Sequence, residues 1–197
     1  MSLTQLSLLE PVSALPDGFV YRPELVAPER EVELIAHFRE LDFREFEFQG
    51  YLGKRRVVSF GLHYDFAERR VRDAAEIPAF LLPLRERAAA FAGLAAAALE
   101  HALVTEYIPG AAIGWHRDRP VFGDVVGISF GSACRFRFRR RHGHSWERAS
   151  LVLEPRSAYL LRGPVRHQWE HSIPPAETLR YSVTFRSVKS PAAGAAR

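Results

Sequence analysis

The chain has 197 residues, a mass of 22.3 kDa, 47% hydrophobic residues and a formal net charge of +4. That length suits one domain with a sizeable core, and the composition is globular rather than disordered. A single cysteine, Cys134, excludes an internal disulfide framework or a multi-cysteine zinc site. No uncharged apolar run reaches the ~18 residues of a membrane span, and residues 1–5 lack a secretory n-region. The expected location is the cytoplasm and the expected state a monomer. A pI of about 9.6 permits a polyanionic partner. The basic residues are nearly all arginine, lysine occurring only at Lys54 and Lys189.

Residues 1–26 read as an extended lead-in broken by Pro11, Pro16 and Pro23. A helix is expected over residues 28–41: Pro28 suits a first helical turn, and Val32, Leu34, Ile35 and Phe38 recur at helical spacing. Residues 43–66 are rich in aromatic and β-branched side chains and punctuated by Gly50 and Gly53, which predicts strands or a hairpin. A second, alanine-rich helix is expected over residues 78–99, with Phe80, Leu84, Phe91 and Leu94 on its apolar face. From His101 onward the texture changes to short strands, expected at residues 102–107, 113–116, 125–130, 134–140, 149–153, 158–161, 167–171 and 180–187. Two helices followed by eight short strands predict an α+β, mainly β fold: a double-stranded β-helix, or jelly roll, supported by N-terminal helices. Residues 1–100 are expected to pack as an N-terminal layer on a jelly-roll core at 101–190, with a disordered tail at 191–197.

One ordered constellation lies between Tyr107 and Arg186: His116-Arg117-Asp118, then His171-Ser172-Ile173-Pro174, then Arg180 and Arg186. Two histidines and a carboxylate are the ligand set that holds a non-haem Fe(II) with positions open for a co-substrate and O₂. The two arginines offer a fork for the carboxylate of a 2-oxo acid. Zinc accepts the same three ligands, but it would not explain the arginines. A second His-x-Asp, His63-Tyr64-Asp65, precedes the second helix and has no later histidine specifically paired with it. The kinase catalytic loop that His116-Arg117-Asp118 imitates lacks its leucine, its metal-binding asparagine and its Gly-rich loop here. His167 is a rival for His171, since four residues apart on a strand the two share a face. His171 is preferred because it stands before Ser-Ile-Pro, where a turn can open onto a cavity. Arg180 and Arg186 also share a strand face, where an anionic ligand would offset the cost of buried charge. Tyr181, Val183 and Phe185 then form the opposite face.

Residues 43–186 resemble the AlkB-like branch of the Fe(II)/2-oxoglutarate dioxygenases. The likeness is carried by Tyr107, the Pro109-Gly110 turn, His116-Arg117-Asp118, His171-Ser172-Ile173-Pro174 and the strand from Arg180 to Arg186. The segment from Gly53 to Gly61 resembles that family's substrate-recognition hairpin. The resemblance implies Fe(II) held by His116, Asp118 and His171, and 2-oxoglutarate bound by Arg180, Tyr107 and Ser182. It places Arg186 at the boundary between co-substrate and substrate. The implied reaction uses O₂ to convert 2-oxoglutarate to succinate and CO₂ while hydroxylating a substrate C–H. On an N-methyl group the hydroxymethyl product releases formaldehyde. Alkylated single-stranded or flipped-base nucleic acid, of the 1-methyladenine or 3-methylcytosine type, is the implied substrate. Arg56, Phe60, Tyr51 and Trp115 are the candidate residues to meet it, and Arg135, Arg137 and Arg139 form a basic strand face that could follow phosphates. Three positions depart from the family's common pattern: Thr105 and Ser182 stand where asparagine is frequent, and Pro120 where a base-reading acid is frequent. Pro120 favours the alternative of a modified protein side chain or a small metabolite.

Overall fold

The computed structural model describes the backbone of residues 14–48, 51–65, 70–73 and 75–189, with side chains described outside residues 46–53 and 63–74. The expected tail at 191–197 and the start of the lead-in lie outside these residues. Strand β1 (Phe19–Arg22) is followed by helix α1 (Pro28–Arg39), which opens on its proline and buries Leu34 and Phe38. The helix stops short of Leu41 because the Glu40 amide turns back to the carbonyls of His37 and Phe38. Next come β2 (Arg44–Phe48), β3 (Tyr51–Phe60), β4 (Leu62–Asp65) and β5 (Arg70–Asp73).

The second helix is shorter than its alanine content suggests. A 3-10 turn, Ala79–Leu81, leads into α2 (Leu82–Ala92), and Gly93 ends it in the left-handed region at φ 65°. Glycine adopts that conformation without a Cβ penalty, so it closes the helix despite the alanines beyond it. A further 3-10 turn, Ala96–Ala98, delivers the chain to a strand rather than prolonging the helix to Leu99.

The remaining strands are β6 (Leu99–Tyr107), β7 (Ile113–His116), β8 (Phe122–Phe130), β9 (Cys134–His142), β10 (Ser145–Leu153), β11 (Ala158–Leu161), β12 (Glu170–Ile173) and β13 (Arg180–Val188). A seven-stranded major sheet runs β1-β11-β8-β13-β6-β3-β2, and a four-stranded minor sheet runs β10-β9-β12-β7. From β6 to β13 the chain passes back and forth between the two sheets, with the β9–β10 hairpin lying wholly in the minor sheet, which is the predicted jelly roll. The lead-in contributes β1 to one margin of the major sheet, and the hairpin β2–β3 extends the other.

One expected strand is in part a helix. Residues 164–168 form a short helix, α3 (Pro164–Gln168), and β12 begins only at Glu170. Gly163, at φ 61°, turns the chain, and Pro164 supplies the φ of a first helical residue. His167 is therefore an exposed helical residue, whereas His171 is buried in the sheet.

The core lies in two layers. Between the helices and the major sheet pack Leu34, Phe38, Leu84, Val104, Ile128, Phe130, Val183 and Phe185. Between the two sheets lie Tyr107, Val125, Phe136, Phe138, Leu161, Trp169 and Ile173. The candidate metal ligands and the candidate co-substrate residues Tyr107 and Arg180 gather in and around that second layer.

Candidate active site

Register decides which side chains meet. His116 on β7 is the direct partner of His171 on β12, and their ring centroids lie 4.3 Å apart. Asp118 stands two residues beyond β7, with its Oδ2 3.7 Å from His171 Nε2. The His116 Nδ1 faces the Gly114 carbonyl at 2.9 Å. Donation to that carbonyl places the proton on Nδ1 and leaves Nε2 as a lone-pair donor.

The electrostatics suit a divalent cation. Burial, followed by the neighbouring His116, lowers the His171 ring to a pKa of about 3. Burial likewise lowers His116. Burial alone would raise the Asp118 carboxyl, but Arg186 and the two histidines outweigh it and hold it below the ordinary carboxylate range. The set thus offers two neutral imidazoles and one anion, the protonation states that metal ligation requires. Among the described residues these side chains are not drawn into a closed metal-binding cluster. Asp118 gives Oδ1 to Arg186, whose Nε and Nη2 lie at 3.0 and 2.9 Å.

The two arginines therefore differ. Arg186 has a protein partner in Asp118 and lies 3.3 Å from His101 Nδ1, so no external anion is needed to offset its charge. Arg180 is 1% exposed, donates from Nε to Ser129 Oγ at 3.1 Å, and lies over the Tyr107 ring at 4.7 Å. Its Nη1 is buried without a hydrogen-bond partner. A donor in that state costs about 1–3 kcal/mol, which a bound carboxylate would recover. Tyr107 is the register partner of Arg180, and its hydroxyl is 3.5 Å from Ser182 Oγ. These groups form a polar lining suited to the carboxylate of a small dianion.

Several candidates lie elsewhere. Arg56 pairs with Glu106 at 2.6 Å on the helix side of the major sheet, over the ring of Phe43. Phe60 is buried in the helix-side core. Even-numbered β3 residues face the helices, so neither residue reaches the space between the sheets. Trp115 follows the alternation of β7 and lies on the outer face of the minor sheet, against Arg137 and Arg139, not beside His116. The Tyr51 side chain lies outside the described residues. Trp169 is core, with Arg140 over its ring.

Other residues join the site without having been singled out. Arg55 is the register partner of Tyr107 and is half-buried on the inter-sheet side. Tyr159 lies across Gly127, where any Cβ would run into its ring. Burial and the nearby Asp118 push its phenol up from its ordinary pKa. Arg166, 3% exposed, donates to the carbonyls of Gly123 and Phe122 at 2.8 Å, Arg119 at 3.2 Å and Asp118 at 3.4 Å. It ties down the loop that carries Asp118.

Comparison with known proteins agrees with this geometry. The profile of the 2OG-Fe(II) oxygenase superfamily matches residues 18–186. The chain belongs to that superfamily. An ALKBH8 homolog of Arabidopsis thaliana, named as an alkylated DNA repair protein, is 29% identical over 202 residues, covering 88% of this chain and 57% of its own. An uncharacterized protein, L905 of Acanthamoeba polyphaga mimivirus, is 30% identical over 99 residues, covering 44% of this chain and 47% of its own. The chain thus spans about half the length of the curated relatives it matches. The solved structure of OsALKBH1 has the same fold, with a TM-score of 0.69 at 16% identity, covering 90% of this chain and all of that one. This oxygenase-superfamily member is thus similar to AlkB-related proteins in sequence and fold, and its superfamily's chemistry employs Fe(II), 2-oxoglutarate and O₂. No helix among its described residues is long and apolar enough to cross a membrane.

Proposed function

We propose that this oxygenase removes N-alkyl groups from nucleic acid, with His116, Asp118 and His171 holding Fe(II) and Arg180 anchoring 2-oxoglutarate. The observation that carries the site assignment is the buried, unpartnered Nη1 of Arg180 beside a neutral-imidazole, ionised-carboxylate ligand set. The bound iron would supply O₂ activation coupled to decarboxylation of 2-oxoglutarate to succinate. Overall, one atom of O₂ would end in succinate and the other in an N-hydroxymethyl group, whose C–N bond would then break to release formaldehyde and return the proton to nitrogen.

The residues of the chain divide the remaining work. Arg180 neutralises one carboxylate of the co-substrate, and Tyr107 and Ser182 orient it through their hydroxyls. Arg186 keeps Asp118 ionised and fixes the direction of its free oxygen. The Gly114 carbonyl holds His116 in the Nε2-donor tautomer. The packed aromatic wall of Phe136, which lies 5.3 Å from the His171 ring, keeps water from that ligand. The alkylated nucleic-acid substrate is supported by the name of the Arabidopsis relative and by the basic balance of the chain.

The deciding experiment measures succinate release after Fe(II) reconstitution, with oligonucleotides bearing 1-methyladenine or 3-methylcytosine. Unmodified strands and a His116→Ala protein serve as controls. Methyl-dependent release, abolished in the variant, is expected. Release that ignores the methyl group would reject the substrate class and favour a modified protein side chain or metabolite, the reading suggested by exposed Pro120.

A further inference from the structure

The outer face of the minor sheet carries charge that the oxygenase reaction does not use. Phe136 and Phe138 of β9 point into the core, so Arg135, Arg137, Arg139 and Arg141 project outward. Across the hairpin, Trp146, Arg148, Ser150 and Val152 stand opposite Arg141, Arg139, Arg137 and Arg135. Five arginines thus share this face with one carboxylate from the neighbouring strand, Glu170, which pairs with Arg139 at 2.6 Å.

Tryptophans thread the arginines. Arg139 lies between Trp115 and Trp146, its guanidinium 4.5 and 4.4 Å from their ring centroids. Arg137 also lies over Trp115 and is tethered through Nε to Ser172 Oγ at 3.0 Å. Arg141 lies over Trp146, which is 37% exposed. We propose that this face is a binding surface for single-stranded nucleic acid, separate from the cavity between the sheets.

The first argument is energetic. Like charges directly opposed across a ladder are unfavourable; Arg139 and Arg148 are such a pair, with Glu170 beside Arg139 on its other side. One register step away, on the other face, Arg140 instead meets Glu147 at 2.7 Å. The inward-facing Arg140 is matched by a carboxylate, whereas the outward face holds five arginines and one carboxylate, Glu170. That surplus of positive charge is complementary to a polyanion.

The second argument is chemical. Stacking on tryptophan fixes guanidinium planes on a flat sheet, and these planes, with the exposed part of Trp146, are surfaces on which unpaired bases can stack. A duplex keeps its bases stacked on one another, so the aromatic part of the face fits a single strand. From Arg135 to Arg141 the face is ~20 Å long, at ~3.3 Å per strand residue. That length accommodates the shorter single-strand sites, which occupy ~4–16 nucleotides. The ladder ends at Trp115, one residue from His116 at the β7 margin of the sheet. A strand held here would extend from the neighbourhood of the metal site. The inference does not rest on demethylation, since unmodified bases and phosphates suffice.

The test is fluorescence anisotropy of a labelled, unmodified strand of about 12 nucleotides, titrated with the full chain at several salt concentrations. Arg141→Gln/Arg148→Gln is expected to weaken binding at least tenfold and to reduce the salt slope by about 1.4, at ~0.7 per lost phosphate contact. Trp146→Ala should weaken it several-fold and Trp146→Phe should restore it, while melting temperature and strand-free turnover of 2-oxoglutarate stay unchanged. Unchanged affinity and slope in these variants would overturn the proposal. So would equal competition by polyglutamate, which would make the face a site for acidic protein instead. Strand binding without methyl-dependent succinate release would leave this surface standing and reject the demethylation reading.

Discussion

The two faces of the major sheet are built from the same strands and are chemically opposite. Along β13, Tyr181, Val183 and Phe185 enter the helix-side core, while Arg180, Ser182 and Thr184 face the minor sheet. β6 does the same, with Val104 on one side and Tyr107 on the other. One face is mainly apolar and closely filled, and carries the Arg56–Glu106 pair; the other carries charge, hydroxyls and an unpartnered buried donor. A strand of period two thus lets stability and chemistry share one segment while remaining separable by residue parity. Substitutions along β13 should consequently differ in kind from one residue to the next.

The largest effect is expected on the helix side. Phe185 is fully buried, and Phe185→Ala should cost about 3–5 kcal/mol through lost burial and the cavity left behind. Urea unfolding would show a lower midpoint at an unchanged slope, with 2-oxoglutarate affinity of the folded fraction preserved. A loss below about 1 kcal/mol would mean that the two faces are not mechanically distinct.

On the other face the order reverses. Arg180→Met should abolish 2-oxoglutarate binding, by at least about 100-fold for ~3 kcal/mol of charge-assisted hydrogen bonding. It should leave the apo protein as stable as before or more so, because a buried guanidinium with an unsatisfied Nη1 and, among the described residues, no buried carboxylate partner is replaced by an apolar chain. Calorimetric titration and a melting curve measured together decide it. A destabilised apo protein would show Arg180 to be a structural residue.

Much of this contrast was legible in the alternation of residues 180–187 and in the order of His116, Asp118 and His171. The eight-strand pattern followed from turn residues bounding short β-branched and aromatic runs. What escaped was set by contacts distant in sequence. Whether Arg55 or Arg56 faces the site depends on which of them pairs with Tyr107, and only the register between β3 and β6 states that. Alanine propensity carried the second helix past Gly93, whose left-handed backbone ends it. Residues 167–171 read as a strand because the signal for α3 is a two-residue cue, Gly163-Pro164, ahead of alternating side chains.

Arg166 escaped for the same reason, since its carbonyl partners lie 43–48 residues earlier. It sits on neither face of the major sheet and extends the comparison to the loop that feeds the site. Arg166→Met should lower metal affinity about 10–100-fold, as supporting residues of a metal site do. Titration with a redox-inert divalent ion measures it. Unchanged affinity would show that the Asp118 loop holds its shape unaided.

Acid should act on the cavity face. His171 has a folded pKa of about 3 against ~6.5 unfolded, so the unfolded chain binds more protons between those values. Stability is then full above ~6.5 and falls as pH drops toward 3. The Asp118 carboxyl, depressed by Arg186 and the histidines against the opposing effect of burial, adds loss in the same direction below ~4. Urea midpoints of the apo protein from pH 7.5 to 4.5 should fall, and His171→Gln should flatten the decline between pH 6.5 and 4.5. An equal decline in the variant would assign the acid sensitivity to other groups.

The smallest effect is the sharpest test of parity. Ser182 lies between Tyr181 and Val183, both of the helix-side core, yet it faces the cavity beside the Tyr107 hydroxyl. At 3.5 Å that contact is at the limit of a hydrogen bond, so its loss costs little in the apo protein. Ser182→Ala should move unfolding by no more than about 0.5 kcal/mol. If the hydroxyl helps orient the co-substrate, removing one neutral hydrogen bond of about 0.5–1.5 kcal/mol should raise the KM for 2-oxoglutarate roughly 2–10-fold. Steady-state kinetics with varied 2-oxoglutarate distinguish the possibilities. A KM that stays fixed would confine co-substrate recognition to Arg180 and Tyr107. A large loss of stability would show that this parity is structural too, and the division between the two faces would fail at its most economical point.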